Sequence, residues 1–414
     1  MTLVRPFKAI RPTKDLAHKI ASLPYDVMNR EEAKIFANGN LDSFLHVVRP
    51  EIGFDDTVGQ YDEKVYVKAR ENLDKMIEDQ KLIQDHKPNF YIYRQIMFGR
   101  VQTGIVACTS IDEYMNNTIK KHEFTRPEKE VDRINNFDHC DANTAPIFLT
   151  YRKNDELNTV INDWIKFNKP VYDFKTEEDI THIIWTVEDT DVINEISEIF
   201  KNIEHLYIAD GHHRTASAAK VGLKRREENP NYTGYEEFNY FLSVIFPNED
   251  VFIMDYNRVV KDLNGLTEEV FLNKVKENFH LEKYEQEGQY KPNTKHTFGM
   301  YLNNNWYKLT AKEGIYDRNN PVDRLDANIL QKNLLHPILG IEDPRTDQRI
   351  DFIGGIRGLK ELEKRAETDM KIAFSMYPTT MEDLLGVADV GEVMPPKSTW
   401  FEPKLRSGLF VHKL

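Results

Sequence analysis

The stretch Tyr207–Lys220 reads YIADGHHRTASAAK. Its first residues are apolar and end in Asp210 and Gly211, and a helix-forming run begins within a few residues. This order predicts a strand, a tight turn that glycine permits, and a helix, a connection typical of α/β proteins. The first N–H groups of such a helix and its dipole converge at the turn, where an anion can bind.

Titratable and charged side chains crowd this turn. Asp210, His212, His213 and Arg214 stand within five positions, and four such groups leaving one turn are hard to place in a core. Arginine can hold a phosphate through two parallel hydrogen bonds, and Thr215 can donate a hydroxyl near the helix start. The histidines either neutralise a phosphoryl charge or form structural hydrogen bonds. The turn is therefore a candidate phosphate site, although the same connection is common without function.

A second polar cluster lies upstream, in KKHEFTRPEKEVDR at Lys120–Arg133. His122 and Glu123 could supply a general base or metal ligands, but HEFTR lacks the second histidine that a helical zinc protease site needs four residues later. Thr125 and Glu128 have the spacing of a capping box, so the same residues also fit a solvated helix start.

Length and composition describe a globular protein. The 414 residues allow two to four domains at roughly 100–200 residues per domain, and 40% hydrophobic with 30% charged residues excludes a disordered chain. Lys and Arg number 55 against 68 Asp and Glu, a net charge of −13, which disfavours nucleic acid and anionic membranes as partners. Two cysteines without CxxC spacing, no signal peptide and no apolar span predict a cytoplasmic protein.

The rest of the chain alternates helical and strand patterns. Apolar residues recur every four positions from Tyr61 to Ile77, and a turn at Gly99 joins two strand-like runs at 89–98 and 101–111. A charged stretch, 113–138, is predicted to be helical, followed by a strand at 146–150, a helix at 155–167 and a strand at 181–187. These patterns predict a mixed α+β fold with three regions, 1–111, 112–230 and 231–414.

Several of these motifs occur in the same order in a known group of enzymes. The order HE, DR, PI and DGHHR resembles that of the free L-serine kinases of the ParB/sulfiredoxin superfamily, over about residues 112–226. Here the letters are His122-Glu123, Asp132-Arg133, Pro146-Ile147 and Asp210–Arg214. The resemblance implies a central nucleotide-binding region of that fold with flanking mixed α/β regions.

The chain as a whole is identified as a member of a bacterial family known as domain of unknown function 1015. The family name implies no activity, so the expectation of a kinase depends on the middle motifs. The phrases that carry this resemblance are RPFKAIRP (Arg5–Pro12), LPYDV (Leu23–Val27), SFLHVVRPE (Ser43–Glu51), YIADGHHR and MPPKSTWFEPKLRSGL (Met394–Leu409).

The kinase resemblance implies a role for each site residue. Glu123 would deprotonate the substrate hydroxyl, and Asp210 would bind Mg2+ or assist that base. His212 would act with them in catalysis, and the nucleotide phosphates would lie on Gly211, His212, His213, Arg214 and Thr215. His122, Thr125 and Arg126 would contact the substrate. The implied reaction transfers phosphate from ATP or ADP to free L-serine and gives O-phospho-L-serine.

Two other classes of function stay open. One is a nucleotide-binding switch that uses the same turn without phosphoryl transfer, and the other is a metal-dependent hydrolase with His122, Glu123, His212 and His213 as ligands. Sulfiredoxin chemistry is not expected, because His212 stands where sulfiredoxins carry cysteine. The basic tail residues, Lys397 and Lys404 among them, either reach the site or form a docking strand. The expected partners are a nucleotide and a small amino acid, and a homo-oligomer is compatible with the sequence.

Overall fold

A computed structural model describes residues 2–414. Helices and strands alternate along the chain, as predicted for a mixed α/β protein, and form several sheets. They divide into two compact units. Unit 1 combines the residues up to Val251 with Pro403–Leu414, and unit 2 is Phe252–Glu402.

The strands are β1 (Val4–Arg5), β2 (Ile10–Pro12), β3 (Leu82–Gln84), β4 (Phe90–Met97), β5 (Arg100–Ser110), β6 (Ile119–Lys120), β7 (Ala142–Asn143), β8 (Ile147–Tyr151), β9 (Tyr172–Lys175), β10 (Thr181–Val187), β11 (Leu206–Asp210), β12 (Tyr240–Pro247), β13 (Phe252–Met254), β14 (Tyr256–Val260), β15 (Phe279–Lys283), β16 (Thr297–Leu302), β17 (Asn305–Ala311), β18 (Ile350–Gly354), β19 (Ile372–Met376), β20 (Trp400–Glu402) and β21 (His412–Lys413). The α-helices are α1 (Ala17–Ile20), α2 (Arg30–Ala37), α3 (Leu45–Val48), α4 (Glu63–Glu78), α5 (Ile111–Met115), α6 (Pro127–Cys140), α7 (Asp155–Phe167), α8 (Thr190–Lys201), α9 (His212–Glu228), α10 (Glu268–Asn278), α11 (Asp326–Leu330), α12 (Leu359–Thr368) and α13 (Met381–Asp389).

Unit 1 is built on a nine-stranded sheet. Eight strands follow the order β6-β11-β8-β12-β5-β4-β10-β9, and β1 pairs with β5. The pairs β6–β11 and β8–β12 are parallel and the others antiparallel. Apolar side chains along these strands, among them Ile92, Ile105, Leu149, Ile208 and Phe241, are fully buried and form the core.

The three predicted regions do not coincide with the two units. Both predicted boundaries, after residue 111 and after residue 230, lie inside unit 1. The reason is hydrogen bonding, because β12 pairs with β5 on one side and with β8 on the other. Strands from all three predicted regions therefore share one sheet.

Where the hydrophobic periodicity of the sequence is strong, the predicted helices and strands agree with those of the structure. The helix predicted at 155–167 is α7, the strand predicted at 181–187 is β10, and the predicted hairpin is β4 and β5. The four-residue repeat lies on α4, where Val65, Ala69 and Leu73 are buried. Its two ends, Tyr61 and Ile77, are exposed instead, because the helix begins only at Glu63 and, in its last turn, Met76 is buried and Ile77 is not.

The prediction of a continuous helix over 113–138 is wrong. Helix α5 ends at Met115 and α6 begins at Pro127, with β6 and an extended segment between them. Proline favours the first turn of a helix and disfavours helical geometry in the residue before it, and Arg126 is accordingly extended. The capping box is not formed either, because the Thr125 hydroxyl donates to the Glu130 carboxylate instead.

The C-terminal segment Pro403–Leu414 returns to unit 1 and is held by backbone pairs. Ser22 and Ser407 exchange N–H···O bonds of 3.0 and 2.9 Å, and Ile10 and Val411 exchange bonds of 2.9 and 2.8 Å. The last strand, β21, pairs with β7. These bonds fix the end of the chain against the N-terminal part of unit 1.

Unit 2 contains an antiparallel six-stranded sheet in the order β15-β17-β16-β19-β14-β18. Its core includes Phe271, Phe298, Leu309, Leu334 and Phe374, which are all fully buried. Within residues 2–414, no helix combines the length and the apolar character needed to cross a membrane.

One buried carboxyl group in unit 2 is poorly compensated. Asp326 opens α11 and accepts the His296 backbone N–H at 2.9 and 3.1 Å, but burial dominates, with the Asp383 charge adding to it, and raises the pKa of Asp326 to about 7. A raised pKa in the folded state means that the folded protein binds this proton more tightly than the unfolded chain does. Stability from this group is therefore full at low pH and is lost as the pH rises toward about 7.

We predict that Asp326→Asn reduces this loss. The unfolding free energy of the variant minus that of the wild type should increase by about 2–3 kcal/mol from about pH 5 to about pH 8. Urea denaturation of the full chain at both pH values measures the effect, with the exposed Asp163→Asn as control. An equal difference between Asp326→Asn and wild type at both pH values would contradict the assignment.

Candidate functional site

The predicted turn is present at the end of β11. Asp210 is the last residue of the strand, Gly211 has φ +100°, and α9 begins at His212. A β-carbon at Gly211 would lie 3.0 Å from Nε and 3.1 Å from Cζ and Nη2 of Arg214. Glycine is thus required twice here, for its left-handed backbone and for the guanidinium packed against it. Where β11 pairs with β8, the register shifts between Ile208 and Asp210.

Helix α9 packs closely against α6 because its buried side chains are small. Ala216, Ser217, Ala218 and Ala219 are all buried, and the Ser217 hydroxyl donates to the Glu130 carbonyl at 3.0 Å. The Lys220 ammonium also pairs with the Glu130 carboxylate. Since α6 follows directly on the segment that contains Glu123, this packing brings the two sequence motifs together.

Two histidines of the turn hold that segment. His212 Nε2 accepts the backbone N–H of His122 at 3.4 Å, and His213 Nε2 accepts the backbone N–H of Arg126 at 3.0 Å. The rings of His122 and His212 meet edge to face at 4.4 Å. We call this pair of bonds the histidine latch. It places the Glu123 carboxylate 3.8 Å from His212 Nδ1.

The latch requires neutral imidazoles, since a ring nitrogen that accepts a hydrogen bond carries no proton. Burial, followed by the charge of His122, lowers the pKa of His212 well below its ordinary value, and burial also lowers the pKa of His213. Burial lowers the pKa of His122 to about 4, against the opposing charge of Asp210. With Nε2 of His212 accepting, its one proton resides on Nδ1, the nitrogen that faces Glu123.

Asp210 lies between two cations. Its Oδ2 is 3.4 Å from Lys404 Nζ and 3.7 Å from Arg214 Nη2. Burial alone would raise the pKa of Asp210, but Lys404 and Arg214 outweigh it and hold that pKa well below its usual range. Lys404 is the residue of this site that the sequence left between two interpretations. Lys404 lies 194 positions from Asp210, so no local sequence pattern connects the two residues. The only signal in the sequence is that lysine is a residue type that binds phosphate.

Arg214 does not extend from the turn. Its guanidinium is buried and donates to the Pro146 carbonyl, with Nη2 toward Asp210. The Thr215 hydroxyl donates back to the Gly211 carbonyl at 3.0 Å. Both side chains therefore stabilise the turn, while the backbone N–H groups at the start of α9 are what the turn offers to an anion.

The arginines of the other sequence motifs form ion pairs and hydrogen bonds within unit 1. Arg133 binds Asp132 through Nε at 3.0 Å and lies over the Tyr25 ring at 3.9 Å. Arg49 donates from Nη1 to the carbonyls of Tyr25 and Met28, both at 2.7 Å. The phrases LPYDV and SFLHVVRPE are thus joined by buried hydrogen bonds from Arg49 to the backbone.

The motif RPFKAIRP near the N-terminus forms two ion pairs. Arg5 pairs with Glu237 at 2.6 Å, and Arg11 pairs with Asp85 at 2.8 Å.

A metal ion is the other ligand that this geometry suggests. His122, Glu123 and His212 each offer a ligand atom, and these atoms lie within 4.8 Å of one another. A metal on His212 Nδ1 would move the proton to Nε2, however, where it would face the His122 N–H. The latch and a metal at this nitrogen therefore exclude each other.

We predict that His213→Ala releases Arg126. Without the acceptor, the Arg126 amide should exchange hydrogen at least about tenfold faster, because its protection comes from this bond. Hydrogen–deuterium exchange of peptides covering 122–130 measures it, and His86→Ala, at an exposed histidine, is the matched control. Unchanged exchange at Arg126 would show that the latch does not hold the segment.

Comparison with known proteins gives a family and distant structural likenesses. A family model described as "Protein of unknown function (DUF1015)" matches residues 4–328. No protein of curated function matches the sequence. A free serine kinase in complex with AMP is 14% identical, with 72% of this chain and 86% of that chain covered at a TM-score of 0.36.

Two further solved structures are similar at the same level. SbnI with a C-terminal truncation, from Staphylococcus aureus, is 10% identical, with 72% of this chain and 82% of that chain covered at a TM-score of 0.40. A conserved hypothetical protein from Pyrococcus furiosus is 14% identical, with 73% of this chain and 93% of that chain covered at a TM-score of 0.35. At these values none of the three assigns a substrate to this chain.

Proposed function

The chain belongs to the DUF1015 family, whose description names no activity, and from the site itself we propose that it is a small-molecule kinase. By the resemblance of its HE, DR, PI and DGHHR motifs to those of the free L-serine kinases, it transfers phosphate from ATP or ADP to free L-serine and produces O-phospho-L-serine. The observation that carries the proposal is the distance of 3.8 Å between the Glu123 carboxylate and His212 at the start of α9. A base for a hydroxyl group and a cradle for phosphate thus share one site.

Glu123 takes the proton of the acceptor. As the serine Oγ attacks the terminal phosphorus, the O–H bond breaks toward the Glu123 carboxylate and the bond between phosphorus and the leaving nucleotide oxygen breaks. Nδ1 of His212 carries a proton and faces Glu123, so it orients this carboxylate. The Glu123 side chain is 41% exposed, so a small substrate can reach it.

The nucleotide phosphates bind at the Gly211 turn. The N–H groups of His212 and His213 have no carbonyl of their own helix within reach, and the helix dipole favours negative charge there. Arg214 supports this binding from beneath the turn. Residues 112–230 form the proposed ParB/sulfiredoxin-like region. Within it, His122, Thr125 and Arg126 are the proposed substrate contacts.

Mg2+ does not fit Asp210 as a resident ligand. The carboxylate already faces two cations on Oδ2, Lys404 at 3.4 Å and Arg214 at 3.7 Å, which leaves little charge for a third. We therefore treat magnesium as part of the nucleotide substrate, which carries the ion on its phosphates. Asp210 positions the cations around the turn.

The two alternatives have distinct consequences. A switch binds nucleotide at the same turn but forms no phosphoserine. A metal-dependent hydrolase needs an ion on His122, Glu123 and His212, which are close enough to hold one. Metal analysis of the purified protein separates this alternative, since the kinase needs no stoichiometric zinc or iron.

We predict that the purified protein forms O-phosphoserine from L-serine with magnesium and ATP or ADP. Glu123→Gln keeps the shape of the side chain but removes the base, and it should reduce kcat by about 100-fold to 10,000-fold while nucleotide affinity stays within about twofold. Phosphoserine is measured by mass spectrometry, and the exposed Glu156→Gln serves as control. Absence of phosphoserine with every nucleoside donor would reject the proposal.

A further inference from the structure

The LPYDV segment carries an exposed carboxylate next to a buried anchor. Asp26 is exposed, whereas Tyr25 is buried and its ring centroid lies 3.9 Å from Arg133 Cζ. Arg133 belongs to α6, the helix that packs against α9. Burial, followed by the Asp26 charge, raises the pKa of Tyr25, and the charges of Arg133 and Arg214 oppose this rise. Tyr25 therefore ties the LPYDV segment to α6 and to the Gly211 turn.

The backbone on both sides of Asp26 is held by a buried arginine. Arg49 donates from Nη1 to the carbonyls of Tyr25 and Met28, both at 2.7 Å, and from Nε to the Glu51 carboxylate at 2.5 Å. Arg49 and Glu51 are both buried, so solvent ions screen their pairing little. In the described part of the chain, the Asp26 carboxylate itself has no hydrogen bond or ion pair. Its position is thus fixed while its oxygens can accept a ligand.

Arg126 supplies the opposite charge at one of the latch histidines. Its backbone N–H donates to His213 Nε2 at 3.0 Å. Burial lowers the pKa of His213, and among the charges around the ring Asp26 raises that pKa while Arg126 lowers it. The Arg126 side chain is 51% exposed, and its Nε lies 3.7 Å from Glu128, an exposed pair that contributes little. An exposed anion and an exposed cation therefore both act on one imidazole ring.

These two charges match the two charges of a free amino acid. An amino acid carries its ammonium and its carboxylate on one carbon atom, so a site for it needs an anion and a cation close together. A carboxylate accepts the ammonium protons, and arginine binds a carboxylate through two parallel hydrogen bonds. Glu123, three residues before Arg126, is the proposed base for the hydroxyl. The three functional groups of serine then each have a partner.

We propose that Asp26 binds the α-ammonium of the acceptor while Arg126 binds its α-carboxylate, so that the site selects free α-amino acids. This role deepens the proposed function and rests on it for the reaction. Magnesium on the nucleotide is the other cation that an exposed carboxylate can bind. The ammonium is favoured because the charge of Arg126 repels a divalent cation but completes a site for a zwitterion.

The test compares ligands that differ in one charged group. L-Serine and L-glycerate, in which a hydroxyl replaces the ammonium, are titrated into the full-length protein and followed by ligand-observed NMR. AMP is present in each titration because it has no phosphoanhydride to transfer. The variants are Asp26→Asn and Asp26→Glu, with Asp15→Asn, at an exposed aspartate of the same unit, as the matched control.

We expect the wild type and the control to bind L-serine at least about tenfold more tightly than L-glycerate. Asp26→Asn should lose this preference by weakening L-serine at least about tenfold, because a charged hydrogen bond is lost. Asp26→Glu should recover part of the loss. The affinity for magnesium-ADP should stay within about twofold of the wild type in both variants.

Each result decides one claim or both. If Asp26→Asn, folded as judged by its thermal unfolding, binds L-serine within about twofold of the wild type, the role of Asp26 is rejected even where phosphoserine is formed. An equal loss for magnesium-ADP assigns Asp26 to the ion and also rejects the role. If Asp26→Asn does not fold, Asp26→Ser is held to the same criteria. If the expected preference is found but no phosphoserine is formed, the kinase proposal fails and the amino-acid site stands. A wild type that does not bind L-serine overturns both.

Discussion

Two hydrogen bonds between backbone amides and imidazole rings hold the site together. The amides of His122 and Arg126 belong to a short extended segment, whereas the accepting rings of His212 and His213 belong to the first turn of α9. Because the rings accept, they stay neutral and point their remaining protons elsewhere. One of these protons faces Glu123. The latch therefore sets both the position of the acid and the protonation state of its neighbour.

Charged side chains near the latch form ion pairs with one another. Arg133 with Asp132 is a buried pair, and losing one member of such a pair typically costs about 3–5 kcal/mol. Arg214 is also buried, but the Asp210 side chain with which it pairs is 31% exposed. These pairs give the site a rigid base but little freedom to bind a ligand. Glu123 and Lys404 approach the turn from two distant parts of the sequence.

The sequence predicts well what depends on neighbouring residues. The bounds of α7 and β10, the β4–β5 hairpin and the strand-turn-helix at Gly211 all follow from periodicity and turn chemistry. The sequence does not predict the break between α5 and α6, although Pro127 marks the start of α6, because the charged stretch has helical composition on both sides of the break. Contacts between residues far apart in the sequence are harder to predict from it. The pairing of β12 with β5 and β8 merges three predicted regions, and the approach of Lys404 to Asp210 depends on a chain return that no local pattern encodes.

A crystal structure with ADP and L-serine bound tests the central claim most directly, because the claim concerns where a phosphate and an acceptor hydroxyl meet. The account predicts the ADP phosphates on the backbone amides of His212 and His213, with the serine Oγ within about 3 Å of the Glu123 carboxylate. Phosphates bound away from the Gly211 turn, or a metal ion on His122, Glu123 and His212 in place of the latch, would contradict it.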